Sequence, residues 1–271
     1  IIRIIIYTED KKMKDNLGVL LGVSSLPSRH GIGDFGKEAY TFIDWCKSNN
    51  YAYWQILPLN PLGPGFSPYQ STSSNALEYR YISLELLSKE GLLKRVPSLD
   101  KGNDSVNFEK VGEFKKKYLW IAYKNFFLKK SNVKKLNAWR KENPWVDVYA
   151  TFETFRMLNN EQTWTTWTKY EQDYYLKHKN PPRKYKHLVD YVAFVQYVAH
   201  KQWLDILAHA RKVGVKLIAD MPFYVGFDST DVWLHRDLFK IDNTNKQELE
   251  AGVPPDAFSD LGQLWGNPIY D

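Results

Sequence analysis

Cysteine is almost absent. The chain has one, Cys46, in 271 residues. That excludes an internal disulfide and a cysteine-based zinc site, and a reducing cytoplasm is the simplest compartment. Long apolar runs are missing too. No stretch reaches the ~18 residues that a membrane span needs. The opening run, Ile1 to Ile6, is too short for the apolar part of a signal peptide, and no small-residue cleavage site follows it. The six histidines contain no H-x-x-x-H zinc pair, and no G-x-x-x-x-G-K-S/T phosphate loop occurs. Charge of one sign is not in large excess: 37 Lys and Arg face 31 Asp and Glu, a net +6. Such a weak bias permits a polyanionic partner without implying one. No nucleic-acid, membrane or protein partner is inferred.

Aromatic residues are plentiful: 10 Trp, 18 Tyr and 14 Phe make 15% of the chain. This load fits a large core and also a site that stacks flat rings. Met13 reads as a natural start, with residues 1–12 as an extension; an edge strand over Ile1 to Tyr7 is the competing reading. Leu17 to Ser24 is a short apolar run and reads as a buried strand. Ala39, Phe42, Ile43 and Cys46 recur at helical spacing, which predicts an amphipathic helix over 37–49. Tyr53 to Leu59 is a second buried strand. Strand, helix, strand at this spacing is a βαβ unit, so the sheet is expected to be parallel.

Residues 71–190 change character to helical periods rich in Lys and aromatics. Phe114, Tyr118, Ile121, Ala122 and Phe126 form one expected buried stripe. Val148, Phe152, Phe155 and Leu158 form another, with Asp147 as its N-cap. Trp164 and Trp167 are expected in the core on one helical side. The run Lys115-Lys116-Lys117 and the group Lys129, Lys130, Lys134 and Lys135 read as solvated faces. A long helix then runs from Tyr191 to Val213, with Gly214 as its terminator. Val215 to Ala219 is a third strand, and the last fifty residues read as loop-rich. The fold class is α/β.

Four features bear on function. Gly31-Ile32-Gly33-Asp34-Phe35-Gly36 matches G-x-G-x-x-G between a strand and a helix. The dinucleotide fingerprint nevertheless fails: Ser25 to His30 intervene after the strand, and no acidic residue stands about 20 positions on. Tyr69, in Ser67-Pro68-Tyr69-Gln70, follows the second strand, where parallel α/β proteins gather ligands; it is either a stacking platform or a cap on the core. Asp220 ends the third strand and has two readings, a ligand for a polar group or a salt-bridge partner. Asp256 and Phe258, with Trp265 and Asn267, place aromatics beside a carboxylate and an amide. A sugar site needs that pairing, since the ring stacks while hydroxyls take directional hydrogen bonds. A plain turn is the alternative.

Taken together, several segments resemble 4-α-glucanotransferase (amylomaltase, or disproportionating enzyme) of glycoside hydrolase family 77. They are Ser24-Ser25-Leu26-Pro27-Ser28 with Gly31 to Gly36, Trp54 to Pro61, Ser67 to Ser71, Gln202-Trp203, Asp220 to Val225, Asp228 to Trp233, Gly252 to Asp256 and Gly262 to Asp271. The resemblance implies the N-terminal part of a TIM-type (β/α)8 barrel, with 13–70 and 191–271 in the barrel and 71–190 a mainly helical insertion. It implies retaining transfer of α-1,4-glucan segments between maltooligosaccharides without cofactor or metal, and a maltooligosaccharide or other α-1,4-glucan as partner. The family's catalytic acids follow the Gly-Gln-x-Trp-Gly-Asn-Pro segment, so none is expected within this chain. Substrate-binding roles carry over to Tyr69 as the platform at the scissile bond, Asp220 as a hydroxyl ligand, Asp256 and Phe258 in the active-site loop, and Trp265 and Asn267 at acceptor subsites. Ala257 departs from the family's frequent aromatic, and Asn75 to Tyr81 departs from its usual Ala-Gly-Asn-Pro turn. A non-catalytic α-glucan-binding half barrel would keep the same positions. Because binding alone does not replace a nucleophile, a 1–271 polypeptide is expected to show no maltotriose disproportionation between pH 5 and 8; product analysis by chromatography checks this, and clear turnover would move the chemistry to carboxylates such as Asp220 or Asp256.

Overall fold

The computed structural model describes residues 17–99 and 105–271. The extension at 1–12, the strand over Ile1 to Tyr7 and the start at Met13 lie outside the described residues. The chain divides into two compact units. One draws on the chain up to Pro58, on Glu78–Lys135 and on Val195–Met221; the other comprises Leu59–Leu77, Leu136–Phe194 and Pro222–Asp271.

The first unit holds a three-stranded parallel sheet in the order β1 (Leu17–Leu20), β2 (Tyr51–Gln55), β3 (Lys216–Ile218). Val19 pairs with Trp54, and Trp54 with Leu217. The strands are shorter than the apolar runs suggest. Val23–Ser25 leaves β1 as a 3₁₀ turn, and beyond β2 only Ile56 adds a bond, to Ile218 O at 3.0 Å, before Pro58, which has no N–H to donate. No closed barrel forms among the described residues. Helix α1 (Lys37–Ser48) connects β1 to β2 and buries Ala39, Ile43 and Cys46 on one face, as its spacing predicts. Burial pushes the Cys46 thiol up to about 11, so it stays protonated and inert.

Helix α2 (Leu84–Lys89) and the 20-residue α3 (Phe108–Phe127) follow in this unit. The α3 core face is Val111, Lys115, Leu119, Ala122 and Phe126, which corrects the expected stripe. Phe114, Tyr118 and Ile121 are only half-buried. The physical reason is Lys115, which is 0% exposed and not solvated with its neighbours. Its ammonium meets Asp34 Oδ2 at 2.9 Å and Ile82 O at 2.6 Å. With its charge matched, a lysine occupies a core position that hydrophobicity assigns elsewhere. Asp34 Oδ1 accepts from Gly36 N at 3.0 Å, and Phe35 N donates to Tyr81 O at 2.8 Å. Gln202 closes the network by bonding both backbone groups of Ser83, at 2.7 and 3.1 Å. It lies on α8 (Lys186–Val213), preceded in the chain by helices α4 to α7 described below. Gly214 ends α8 with φ +84°, a conformation that favours glycine.

Helix α4 (Lys130–Glu142) and α8 contribute residues to both units. The second unit contains α5 (Trp145–Leu158), α6 (Lys169–Gln172), α7 (Tyr174–Lys177) and α9 (Thr230–Leu234). Its core joins Phe152, Phe155, Trp164, Trp167, Tyr174, Trp233 and Phe239. Both tryptophans are buried as expected, on a 3₁₀ turn (Trp164–Thr166) and the residue after it rather than on an α-helix. Two expectations are corrected. Leu158 is exposed, and Asp147 does not cap α5, whose N-cap is Pro144. Asp147 instead accepts from Arg140 Nε at 2.7 Å, and the same guanidinium reaches Asp190 at 2.7 Å. The C-terminal region is also more ordered than its sequence suggests: β4 (Glu250–Val253) and β5 (Gln263–Pro268) pair antiparallel.

Two predictions follow from the first unit. Replacing Lys115 by Met leaves Asp34 buried without its counter-charge, which costs about 3–5 kcal/mol; adding Asp34→Asn should restore part of that, and urea unfolding of the intact protein measures both. His30 supplies a pH signature. Burial first, and Lys115 second, lower its pKa from 6.5 to about 4. The unfolded state then binds a proton that the folded state refuses between those values, so stability rises with pH across that window and is lost as pH falls from 6.5 toward 4. The slope is at most about 1.4 kcal/mol per pH unit, and His30→Gln should remove it from unfolding curves collected at several pH values.

Candidate functional site

Five of the six candidate residues belong to the second unit: Tyr69, Asp256, Phe258, Trp265 and Asn267. Asp220 belongs to the first, half-buried just beyond the carboxyl end of β3.

Tyr69 sits on a 3₁₀ turn, Pro68–Gln70. Pro68 sets φ at the first position of that turn, and the Ser67 hydroxyl accepts from Tyr69 N at 3.3 Å. The turn presses against Gly63, where a Cβ would come within 1.8 Å of Gln70 O; any other residue would displace the turn. The Tyr69 ring is 45% exposed, so the structure leaves a usable aromatic face rather than burying it as a core cap. The following segment is fixed as well. One Asn60 amide donates to the carbonyls of Ser73, Ser74 and Ala76 at 3.0 to 3.3 Å, and Asp231 accepts from Ser74 N at 2.9 Å and from its hydroxyl at 2.5 Å. This is how Asn75 and its neighbours form an ordered loop without the family's usual turn.

The neighbour of Tyr69 makes the connection that matters most. Gln70 Nε2 donates to the backbone carbonyl of Trp265, joining the tyrosine turn to β5. The half-buried Trp265 ring lies beside Tyr224, with centroids 6.3 Å apart, and Tyr224 stacks on Tyr270 at an interplanar angle of 13°. Tyr270 OH donates to Phe223 O at 2.9 Å, and the Phe223 ring is itself exposed. Asn267 is only 4% exposed and donates to Val225 O at 2.8 Å. Its amide therefore ties β5 to the segment that carries Phe223 and Tyr224. The structure brings Tyr69, Gln70, Trp265 and Asn267 into one bonded framework.

Asp256 and Phe258 occupy the loop between β4 and β5. Asp256 Oδ1 accepts from Phe258 N at 2.8 Å and Ser259 N at 2.9 Å, while Asp256 N donates to Ser259 O at 3.0 Å. This is an Asx-type turn: one carboxylate oxygen holds the loop's shape and thereby sets where Phe258 stands. The Phe258 ring is 93% exposed.

Sequence reasoning missed Gln70, Tyr224 and Tyr270 as parts of this framework. Gln70 and Tyr224 lie next to recognised positions, but their role depends on bonds and ring contacts across long sequence separations. Among the described residues no group of three His, Cys, Asp or Glu side chains is arranged to hold a metal ion, and no helix is long and apolar enough to cross a membrane. What remains is a surface of exposed rings and backbone-anchored amides and carboxylates, suited to binding by stacking and hydrogen bonding.

A family model described as 4-alpha-glucanotransferase, glycoside hydrolase family 77, matches residues 21–271. The chain is 39% identical over 261 residues to the 4-alpha-glucanotransferase of Aquifex aeolicus, covering 94% of this chain and 52% of that protein. It is 35% identical over 270 residues to a chloroplastic/amyloplastic 4-alpha-glucanotransferase of Arabidopsis thaliana, covering 97% of this chain and 46% of that one. A solved structure of amylomaltase from Streptococcus agalactiae in complex with acarbose superposes with a TM-score of 0.87 at 34% identity, over 94% of this chain and 52% of that chain. The chain thus spans about half the length of the relatives it matches. Since the family match takes in all six candidate positions and the fold is that of part of an amylomaltase, the chain belongs to the 4-α-glucanotransferase family, glycoside hydrolase family 77.

Proposed function

We propose that the protein containing this chain transfers α-1,4-glucan segments between maltooligosaccharides, and that this chain supplies part of the substrate-binding surface. The observation that carries the reading is the Gln70 bond to Trp265 O, which joins the turn bearing the exposed Tyr69 to β5. Tyr69 then serves as the stacking platform for a glucose unit, and Trp265 and Phe258 as further apolar faces along the glucan. Asp220 takes sugar hydroxyls, Asn267 holds β5 against the segment that carries Tyr224, and Asp256 holds the active-site loop. The bound acarbose of the Streptococcus agalactiae relative supports an α-glucan as ligand.

The proposed chemistry is retaining. One carboxylate forms a glycosyl-enzyme intermediate while a second protonates the leaving sugar oxygen, with the two groups about 5–5.5 Å apart. The second group then deprotonates the 4-hydroxyl of an acceptor sugar, which attacks the intermediate in place of water. Both acids are placed beyond Asp271. The proposal includes a barrel formed in part by 13–70 and 191–271, with 71–190 as a helical insertion.

Incubating the intact gene product with maltotriose should yield glucose together with longer oligomers. Tyr69→Ala should lower kcat/KM about ten- to a hundredfold, the loss expected when a ring covered by substrate is removed at about 1.5–3 kcal/mol. An intact product that makes neither glucose nor longer oligomers defeats the transferase reading and leaves a glucan-binding protein. An unchanged kcat/KM in Tyr69→Ala removes Tyr69 from the site.

A further inference from the structure

The first unit carries a concavity lined by none of the six candidate residues. A cavity of about 240 Å³ opens at the start of α1, and Arg29, His30, Asp34, Lys37, Glu38 and Glu85 are among its lining residues. A single water needs only about 10–15 Å³ of such space, so there is room for a molecule the size of one sugar ring. Helix α1 begins here at Gly36 with no side chain capping it.

His30 is the second and independent sign of a ligand. It is only 1% exposed, it lines the cavity, and its buried Nε2 has no hydrogen-bond partner. A buried polar nitrogen left unpaired costs about 1–3 kcal/mol, and native structures rarely leave one without a ligand, ion or water. The ring's position is set by its neighbours: its backbone N–H donates to Ser28 Oγ at 3.0 Å, and its ring lies 5.7 Å from that of Phe114. Burial and the nearby Lys115 lower its pKa to about 4, so at neutral pH the imidazole is uncharged, with one donor and one acceptor nitrogen.

The charges around the cavity select the ligand class. Arg29 faces Glu85 at 3.6 Å, and Asp34 is matched by Lys115 at 2.9 Å. Lys37 and Glu38, the first two residues of α1, add one charge of each sign. A lining whose charges cancel does not favour an anion or a cation. It offers both donors and acceptors, and that suits hydroxyl groups, each of which both donates and accepts.

We infer that this cavity binds a small neutral polyol, a single hexose such as D-glucose, at a site lined by none of the six candidate residues. The inference does not rest on the transferase reading. The test is calorimetric titration of D-glucose into the intact protein with saturating acarbose present, so that any active-site binding of glucose is blocked. If the transferase reading is wrong, acarbose simply leaves the titration unaltered and the variants still decide. One-to-one glucose binding is expected, with no binding of inorganic phosphate. His30→Phe keeps an aromatic ring without its nitrogens and should weaken glucose binding at least tenfold, as should Glu38→Leu at the rim. Should His30→Phe fail to fold, Glu38→Leu carries the test alone. Absence of glucose binding, phosphate binding in its place, or a folded variant that binds glucose like the parent overturns the inference.

Discussion

The first unit depends on a buried ion pair between Lys115 and Asp34. Taking both charges out of water costs several kcal/mol per ion, and the pair is tolerable only because its remaining bonds are also met. They are: the ammonium also reaches Ile82 O, and the other carboxylate oxygen takes Gly36 N. The pair thereby binds α3 to the loop that starts α1. Gln202 on α8 then secures Ser83, one residue from Ile82. Three helices far apart in the chain converge on one short loop, and the buried charge makes that arrangement hard to replace by a slipped packing of α3.

The candidate site in the second unit is built on a different principle. Its side chains are placed by backbone bonds rather than by burial: Gln70 to the Trp265 carbonyl, Asn267 to the Val225 carbonyl, and Asp256 to two amides of its own loop. The rings are left in water. Polar side chains spend their hydrogen bonds on the scaffold, and Tyr69 and Phe258 stay exposed.

Much of this was legible beforehand. Apolar spacing determined α1, the central part of α8 and the parallel β1-β2 pairing, because amphipathic period and a short strand–helix–strand spacing leave few packings. The motifs from Gly31 to Asp271 determined the family, and Gly214 the end of α8. Tertiary structure alone decided the rest. The face of α3 turned on a lysine whose counter-charge lies 81 residues away, a partner no local period can report. Asp147 lies inside the first turn of α5 rather than at its cap, and its carboxylate is taken by Arg140. The β4-β5 pairing arose from segments without alternating polarity, and Gln70 acquired its role through a contact spanning 195 residues. Local sequence sets which conformations are cheap; which side chain is buried or bonded is set by charges and carbonyls that only the folded chain brings within reach.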